Sequence, residues 1–251
     1  MMFQPKLSVI TIVYNNVRDI ERTMLSVLNQ KYPDIEYIII DGESTDGTVQ
    51  VVEKYRHQLS SFISEPDGGI YDAMNKGLAL ATGDYVLFMN SGDEIYAQDT
   101  VSRVFDSAPD ADIYYGETEM FDQEWKSIGQ RRHKAPNTFT WKSFQQGMSV
   151  SHQAIYIRRD LTDPFDSRYH LSADIDWIIK AAKKAVIIVN TNMYVAKYLV
   201  GGMSKAKHMQ SLKERFNIFT RHYGLVPNIL NHAVIALKLA FYYLKHGRTN
   251  D

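Results

Sequence analysis

Apolar residues fall in short blocks along the first half of the chain, separated by polar turns. Leu7 to Tyr14 is a nearly continuous, β-branched run, which predicts a strand covered on both faces. Asn15 and Asn16 make a turn, and Ile20, Met24, Val27 and Leu28 then repeat at helical spacing. Tyr32-Pro33-Asp34 breaks that helix. Glu36 to Ile40 predicts a second buried strand that ends at Asp41-Gly42. Ser44 or Thr45 is expected to cap the next helix, with Val49, Val52 and Tyr55 on its apolar face. Phe62 to Ser64 predicts a third strand and Ile70 to Ala81 a helix. Tyr85 to Met89 predicts a fourth strand, stopped by Asn90-Ser91-Gly92-Asp93.

This alternation predicts an α/β fold with a mostly parallel sheet and helices on both faces. Ligands of such sheets bind outside the carboxyl ends of the strands. The loops Tyr14–Asn16, Asp41–Gly47 and Asn90–Glu94 are therefore where a site is expected. Beyond Asp112 the pattern loosens. Ile113 to Tyr115, Ala154 to Ile157 and Val195 to Leu199 read as strands. Leu171 to Lys184, with Ser172 at its cap, reads as a helix. Ser204 to His222, stopped by Gly224 and Pro227, reads as another, and Asn228 to His246 as the last.

The chain has 251 residues, 45% of them hydrophobic, enough for one sizeable core with room for a small appendage. It has no cysteine, which excludes disulfides, thiolate nucleophiles and Cys-ligated zinc. A net charge of −1 argues against a general nucleic-acid binder. The charge is uneven: from Lys197 onward nine Lys/Arg face two acids, a net of +7, leaving −8 on the rest. Such a basic end is expected to meet something anionic. Ser8 and Thr11 interrupt the first apolar run, which is unlike a signal peptide, and no run approaches the ~18 apolar residues of a spanning helix. A cytoplasmic location is the expectation.

Several chemistries lack their motifs. No Gly-x-Gly-x-x-Gly turn follows the first strand, which reads Tyr14-Asn15-Asn16-Val17 there, so a dinucleotide enzyme is rejected. A phosphate-cradling Walker loop is absent, as is the Gly-rich basic loop of a sugar nucleotidyltransferase. What is present, in order, is Ser8–Asn16, then Asp41-Gly42-Glu43-Ser44-Thr45-Asp46-Gly47-Thr48 after an Ile-rich strand, then Gly83–Asp93. This set resembles the family 2 glycosyltransferases of bacterial polysaccharide type, over residues 7 to about 116 and more weakly over 150–204.

The resemblance implies a GT-A fold: a Rossmann-like, mostly parallel sheet flanked by helices, with a C-terminal helical extension. Residues 1–204 would form the catalytic domain, 1–116 its nucleotide-sugar half and 117–204 its acceptor half, with 205–251 as the extension. It also implies inverting, metal-assisted transfer of a sugar from a nucleotide diphosphate donor. A UDP-sugar is the expected donor, and a hydroxyl of a glycan or lipid-linked glycan the acceptor. The alternative is a non-catalytic nucleotide-sugar-binding or scaffold relative.

Residue by residue, the resemblance sets Thr11, Tyr14, Asn15, Asp41, Asp67, Lys76, Asn90 and Ser91 against the donor. A carboxylate at Asp41 can accept from a pyrimidine N–H or a ribose hydroxyl. Asp67 falls near the base and Lys76 near the pyrophosphate, while Gly68-Gly69 lets backbone approach a ligand. Asn90-Ser91-Gly92-Asp93 stands where the family commonly carries an Asp-x-Asp motif that binds Mn²⁺ or Mg²⁺. Here only Asp93 is left as a direct ligand, and one carboxylate plus substrate phosphates makes an acceptable Mg²⁺-type site. The base falls in Leu171-Ser172-Ala173-Asp174-Ile175-Asp176-Trp177. Asp174 is chosen over Asp176, since the first helical turn favours its ionised form. His152 and Gln153 fall at the acceptor, and Val200 to Ser204 in a loop expected to close over the donor. The last helix carries an apolar face from Ile229 to Leu244 beside Lys238, Lys245 and Arg248. It is expected to touch a membrane over 226–248 or to pack on protein; the oligomeric state stays open.

Overall fold

A computed structural model describes residues 4–131, 134–146, 150–201 and 207–246. The first half runs β1 (Leu7–Val13), α1 (Ile20–Leu28), β2 (Ile35–Asp41), α2 (Thr48–Glu53), β3 (Ser61–Ser64), α3 (Ile70–Leu80) and β4 (Tyr85–Phe88). Next come β5 (Glu94–Ile95), α4 (Thr100–Asp106), β6 (Ile113–Phe121), β7 (Ser127–Gln130) and β8 (Ile155–Arg158). The chain continues with α5 (Ala173–Lys184), β9 (Ile188–Leu199), α6 (His208–Tyr223) and α7 (Leu225–His246).

The strands form one sheet in the order β3-β2-β1-β4-β8-β6-β9-β5, with β7 hydrogen-bonded to β6. β1 to β4 run parallel; β8 is antiparallel to both β4 and β6, while β9 is parallel to β6. The order reverses at β1, whose neighbours are β2 and β4. That is a topological switch point, where the carboxyl ends of two strands open a crevice.

All residues of β1 are buried because both faces are covered. Leu7, Val9 and Val13 pack with Ile20 and Met24 of α1, while Ile10 and Ile12 pack on the other face with Met74 of α3 and Trp177 of α5. α3 lies close against the sheet: a Cβ on Gly77 would come within 2.4 Å of Ile10 Cγ2.

The structure differs from the sequence reading at several boundaries. α2 starts at Thr48 rather than at Ser44 or Thr45, because Gly47 adopts a left-handed φ of +101° and Asp46 Oδ1 accepts from the Thr48 N–H at 3.0 Å. Ser44 and Thr45 instead bind the β1 turn. Ser44 Oγ accepts from the Asn15 N–H (2.7 Å), and the Thr45 N–H donates to Asn15 Oδ1 (2.9 Å). β9 begins at Ile188, earlier than the apolar run from Val195, and Pro227 sits inside the first turn of α7, where no N–H is needed. β5, α4 and β7 were not anticipated. The expected helix start at Ser204, and most of the Val200–Ser204 loop, lie outside the described residues. Among those described, no helix is long and apolar enough to cross a membrane.

Candidate active site

Two adjoining cavities lie along the carboxyl edge of β1, β2 and β4. The larger, 750 Å³, has Tyr14, Gly42, Asp67 and Gly69 in its wall. The smaller, 370 Å³, is bounded by Asp93, His152, Gln153, Asp174 and Tyr198 among others. Asn16, Ile70, Asn90 and Ser91 belong to both, so the two communicate.

Asp41 ends β2 just before Gly42 of the larger cavity's wall; it is fully buried and does not itself line the cavity. Its Oδ2 accepts from the Ser44 N–H (2.9 Å) and the Ser64 hydroxyl (2.7 Å), while Oδ1 is enclosed with no partner. A buried carboxylate oxygen without a donor is costly, and a ligand N–H or hydroxyl would relieve it. Gly42 lets the rim close: a Cβ there would meet Asp67 Oδ2 at 2.6 Å and the Tyr14 ring at 3.3 Å. Tyr14 is 66% exposed, a ring face open to a planar ligand.

Not every residue expected at the donor reaches a cavity. Thr11 is buried and committed to Tyr37 Oη (3.0 Å) and the Met89 carbonyl (2.8 Å). Lys76 donates to the Pro66 carbonyl (2.8 Å) and pairs with Glu65 (2.8 Å), pinning the loop that carries Asp67. Asn15, in a left-handed turn at φ +46°, laces the β1 and β2 loops together.

Between the cavities, Ser91 Oγ accepts from Asn16 Nδ2 (2.9 Å), and Asn90 Nδ2 lies 3.0 Å from His152 Nε2. Asn90 Oδ1 is enclosed without a partner. Asp93 is buried, with Oδ2 accepting from Gln153 Nε2 (2.7 Å) and Oδ1 from the Leu199 N–H (3.1 Å). Burial pushes its carboxyl up to about 6, against the pull of the Gln153 amide, the His152 ring and the Leu199 N–H. The described residues contain no group of three or more His, Cys, Asp or Glu able to hold a metal. The donors do fit a hard cation shared with a ligand. Asp93 keeps a free lone pair on each oxygen, and Asn90 offers a bare carbonyl oxygen.

Deeper in the smaller cavity, Asp174 sits in the first turn of α5. Its Oδ1 accepts from the Tyr71 hydroxyl (3.1 Å), and its Oδ2 lies 3.1 Å from His152 Nδ1. Burial raises its carboxyl, but the His152 bond and charge, the Tyr71 bond and the Arg215 charge outweigh it, holding Asp174 below the usual range. His152 thus bridges the two residues, with Nδ1 toward Asp174 Oδ2 and Nε2 toward the Asn90 amide nitrogen. His152 and Gln153, expected at the acceptor, do line this cavity, but they bond to Asp174 and Asp93 respectively.

Asp176 goes elsewhere. It is 1% exposed and is held by His222 Nε2 (2.7 Å) and Lys180 Nζ (2.6 Å). Helix α6 seats the start of α5. The Glu214 carboxylate accepts from the His170 and Leu171 N–H groups (3.1 and 2.8 Å), and Ser211 bonds to Ser172 (3.1 Å). Sequence reasoning missed Asn16, Tyr71 and Tyr198. Tyr71 follows the Gly68-Gly69 motif, a signal that was available; Tyr198 carried none.

A family model described as glycosyl transferase family 2 matches residues 8–163. An uncharacterized glycosyltransferase of Mycobacterium tuberculosis is 33% identical over 192 residues, covering 72% of this chain and 71% of that one. Among solved structures, S. aureus TarS 1–349 in complex with UDP superposes with a TM-score of 0.65 at 22% identity, covering 98% of this chain and 73% of TarS. A mannosyltransferase from Pyrobaculum calidifontis, in complex with GDP-Man and Mn²⁺, gives a TM-score of 0.65 at 18% identity, covering 98% and 77%. The architecture is therefore the GT-A fold.

Proposed function

The chain belongs to glycosyl transferase family 2 and is a glycosyltransferase, and on that premise we propose an inverting transfer from a UDP-sugar to a hydroxyl of a glycan or lipid-linked glycan. The observation that carries this reading is the opening between the cavities: a buried, ionised Asp174 faces a space continuous with the pocket walled by Tyr14, Gly42 and Asp67.

In this reading residues 1–116 hold the donor, 117–204 build the acceptor side and 205–251 extend the fold. The Asp41 Oδ1 that lacks a partner accepts from the base or ribose, and Tyr14 offers its ring to the base. Asp67 stands at the base end, and Asn90 and Ser91 stand where the diphosphate crosses from one cavity to the other. The acceptor oxygen attacks the sugar C1 from the face opposite the nucleotide. The C1–O bond to the diphosphate breaks as the acceptor proton passes to Asp174. His152 and Tyr71 hold that carboxylate in place, and a positioned base contributes about 10²–10⁴ in rate. Asp93 and Asn90 Oδ1 would hold Mn²⁺ or Mg²⁺, which supplies charge neutralisation at the leaving diphosphate.

Helix α7 extends the proposal to a membrane surface. It turns Asn228 and His232 toward α6 and leaves Leu225, Val226, Ile229, Leu230, Val234 and Leu237 exposed. An exposed apolar stripe on a helix without acidic residues suits peripheral contact with an anionic lipid face, on the cytoplasmic side, over 226–248. A panel of nucleotide sugars with Mn²⁺ tests the activity. Release of UDP from at least one UDP-sugar is expected, and no nucleotide release from any donor would contradict the reading.

A further inference from the structure

Helix α3 presents two different faces to the site. Gly69 at its start, with Ile70 and Ala73, stands in the wall of the larger cavity. Tyr71 and Asn75, four residues apart and so on a common face, turn toward α5 and the segment before it. Asn75 grips that segment through both polar groups of one residue. Its Nδ2 donates to the Phe165 carbonyl (3.0 Å), and its Oδ1 accepts from the Phe165 N–H (2.7 Å).

The Phe165 ring joins α3 to α5. It stacks on Tyr71 with centroids 5.5 Å apart and on Trp177 at 5.0 Å, and Phe88 of β4 stands edge-on to Phe165 and Trp177. Trp177 lies three residues beyond Asp174 on α5 and is 2% exposed. The Tyr71 hydroxyl makes a second link to α5 by donating to Asp174 Oδ1 (3.1 Å), and Tyr71 and Asp174 both line the smaller cavity. Burial and the Asp174 charge hold that phenol well above its ordinary range, so it stays a neutral donor. The ring does the packing, and the hydroxyl is spent on Asp174.

We propose that Tyr71 and Asn75 are positioning residues that lock the Asp174 carboxylate to the helix walling the donor cavity, so that base and donor are held at one fixed separation. The proposal rests on the glycosyl-transfer reading and adds α3 as the common frame. Asn75 fixes Phe165, Phe165 fixes the Tyr71 ring, and Tyr71 fixes Asp174. Without the Tyr71 bond the carboxylate keeps only His152 and can turn about its Cβ–Cγ bond. A reacting group misplaced by about 1 Å can cost about 10²-fold in rate.

The test is a double-mutant cycle read by UDP release with Mn²⁺. The donor is whichever of UDP-glucose, UDP-galactose and UDP-N-acetylglucosamine the wild type turns over fastest. Tyr71→Phe keeps the ring stack and should lower kcat by about 10- to 100-fold, with the donor KM within about 2-fold of the wild type. Asn75→Ala should lower kcat by a smaller factor, about 3- to 10-fold, again without moving the donor KM. In an Asp174→Asn background neither substitution should lower kcat further, because the carboxylate they serve is gone. A p-aminophenylalanine at position 71 puts a donor back on the same ring and should return kcat to within about 5-fold of the wild type. Melting curves report folding; if Asn75→Ala unfolds, Asn75→Asp keeps the acceptor for the Phe165 N–H and is read in its place. Wild-type kcat in Tyr71→Phe overturns the proposal, as do effects that multiply with that of Asp174→Asn. A raised donor KM at unchanged kcat assigns Tyr71 to the donor and overturns it too. A folded aminophenylalanine variant that stays below about a tenth of wild-type kcat overturns the role of the hydroxyl, whether or not the Phe variant folds. A wild type that releases UDP from none of the three donors contradicts the donor reading, and the positioning role falls with it.

Discussion

Strand β2 carries a buried carboxylate at each end, and the fold treats the two oppositely. At the amino end, Glu36 receives Ser8 Oγ (2.5 Å), the Thr82 N–H (2.7 Å), Thr82 Oγ1 (2.5 Å) and Lys6 Nζ (3.1 Å). Burial pushes its carboxyl up, yet these bonds overcome it and hold it down at about 2. At the carboxyl end, Asp41 has both of its donors on one oxygen and none on the other. The same edge holds the bare Asn90 Oδ1 and Asp93, whose carboxyl burial raises to about 6. Enclosed atoms without hydrogen-bond partners also occur elsewhere, at Tyr156 Oη, the Trp125 and Trp177 indole nitrogens and Nε of Arg22 and Arg215, but none of those is a carboxylate or amide oxygen. The contrast teaches that the amino edge spends its polar groups on the fold, whereas the carboxyl edge leaves bonding capacity for a ligand.

The largest expected effect comes from Asp93→Asn. Loss of the one carboxylate proposed at the diphosphate should lower kcat/KM by roughly 10³-fold, the scale of several kcal/mol of charge stabilisation. The metal-free fold should respond in the opposite direction. An acid raised from 3.8 to about 6 favours the fold while protonated and loses that contribution as pH rises through this window. Above pH 6 the Asn variant should therefore melt higher than the wild type, by an amount on the order of 3 kcal/mol at most. A variant that melts lower at every pH would break the contrast.

Next in size is the pair at the two ends of β2. Asp41→Asn should raise the donor KM by about 10-fold with little change in Tm, while Glu36→Gln should cost about 2 kcal/mol of stability and leave the donor KM alone. Kinetics and melts on both variants check this, and exchanged outcomes would overturn the distinction. Asp176→Asn should behave like Glu36→Gln, losing about 1–3 kcal/mol through its His222 and Lys180 contacts while nucleotide release persists. The smallest effect is in acid. The depressed Glu36 carboxyl stabilises the fold above its ordinary 4.5, and that contribution fades as pH falls toward 2. The stability gap between wild type and Glu36→Gln, followed by urea melts, should narrow over that range; a constant gap would contradict the cause assigned.

The half of the fold from β1 to β4 was legible because β1, β2 and β4 are buried on both faces and so read as largely apolar runs, with β3 a short, half-buried strand between helical patterns. The second half was less so. The start of β9 contains Asn190-Thr191-Asn192, with Asn192 at φ +53°, and it joins the sheet through irregular pairing with β6. β5 is two residues long and exists only as a partner of β9. At the site, Asp41, Asp93 and Asp174 were legible because they end strands or begin a helix at the switch-point edge. Side-chain direction was not. Nothing in the sequence says that Thr11 turns into the core or that Lys76 turns back onto its own loop. Tyr71 and Asn16 reach the cavity only through the packing of α3 and the β1 turn.

The account stands on Asp174 as the proton acceptor at the inner end of the two cavities. Its most direct test is the Asp174→Asn variant, measured for UDP–Mn²⁺ affinity and for transfer from a UDP-sugar. The affinity should match that of the wild type while kcat falls by about 10²–10⁴. A variant that keeps wild-type transfer, or that loses nucleotide binding along with it, contradicts the assignment.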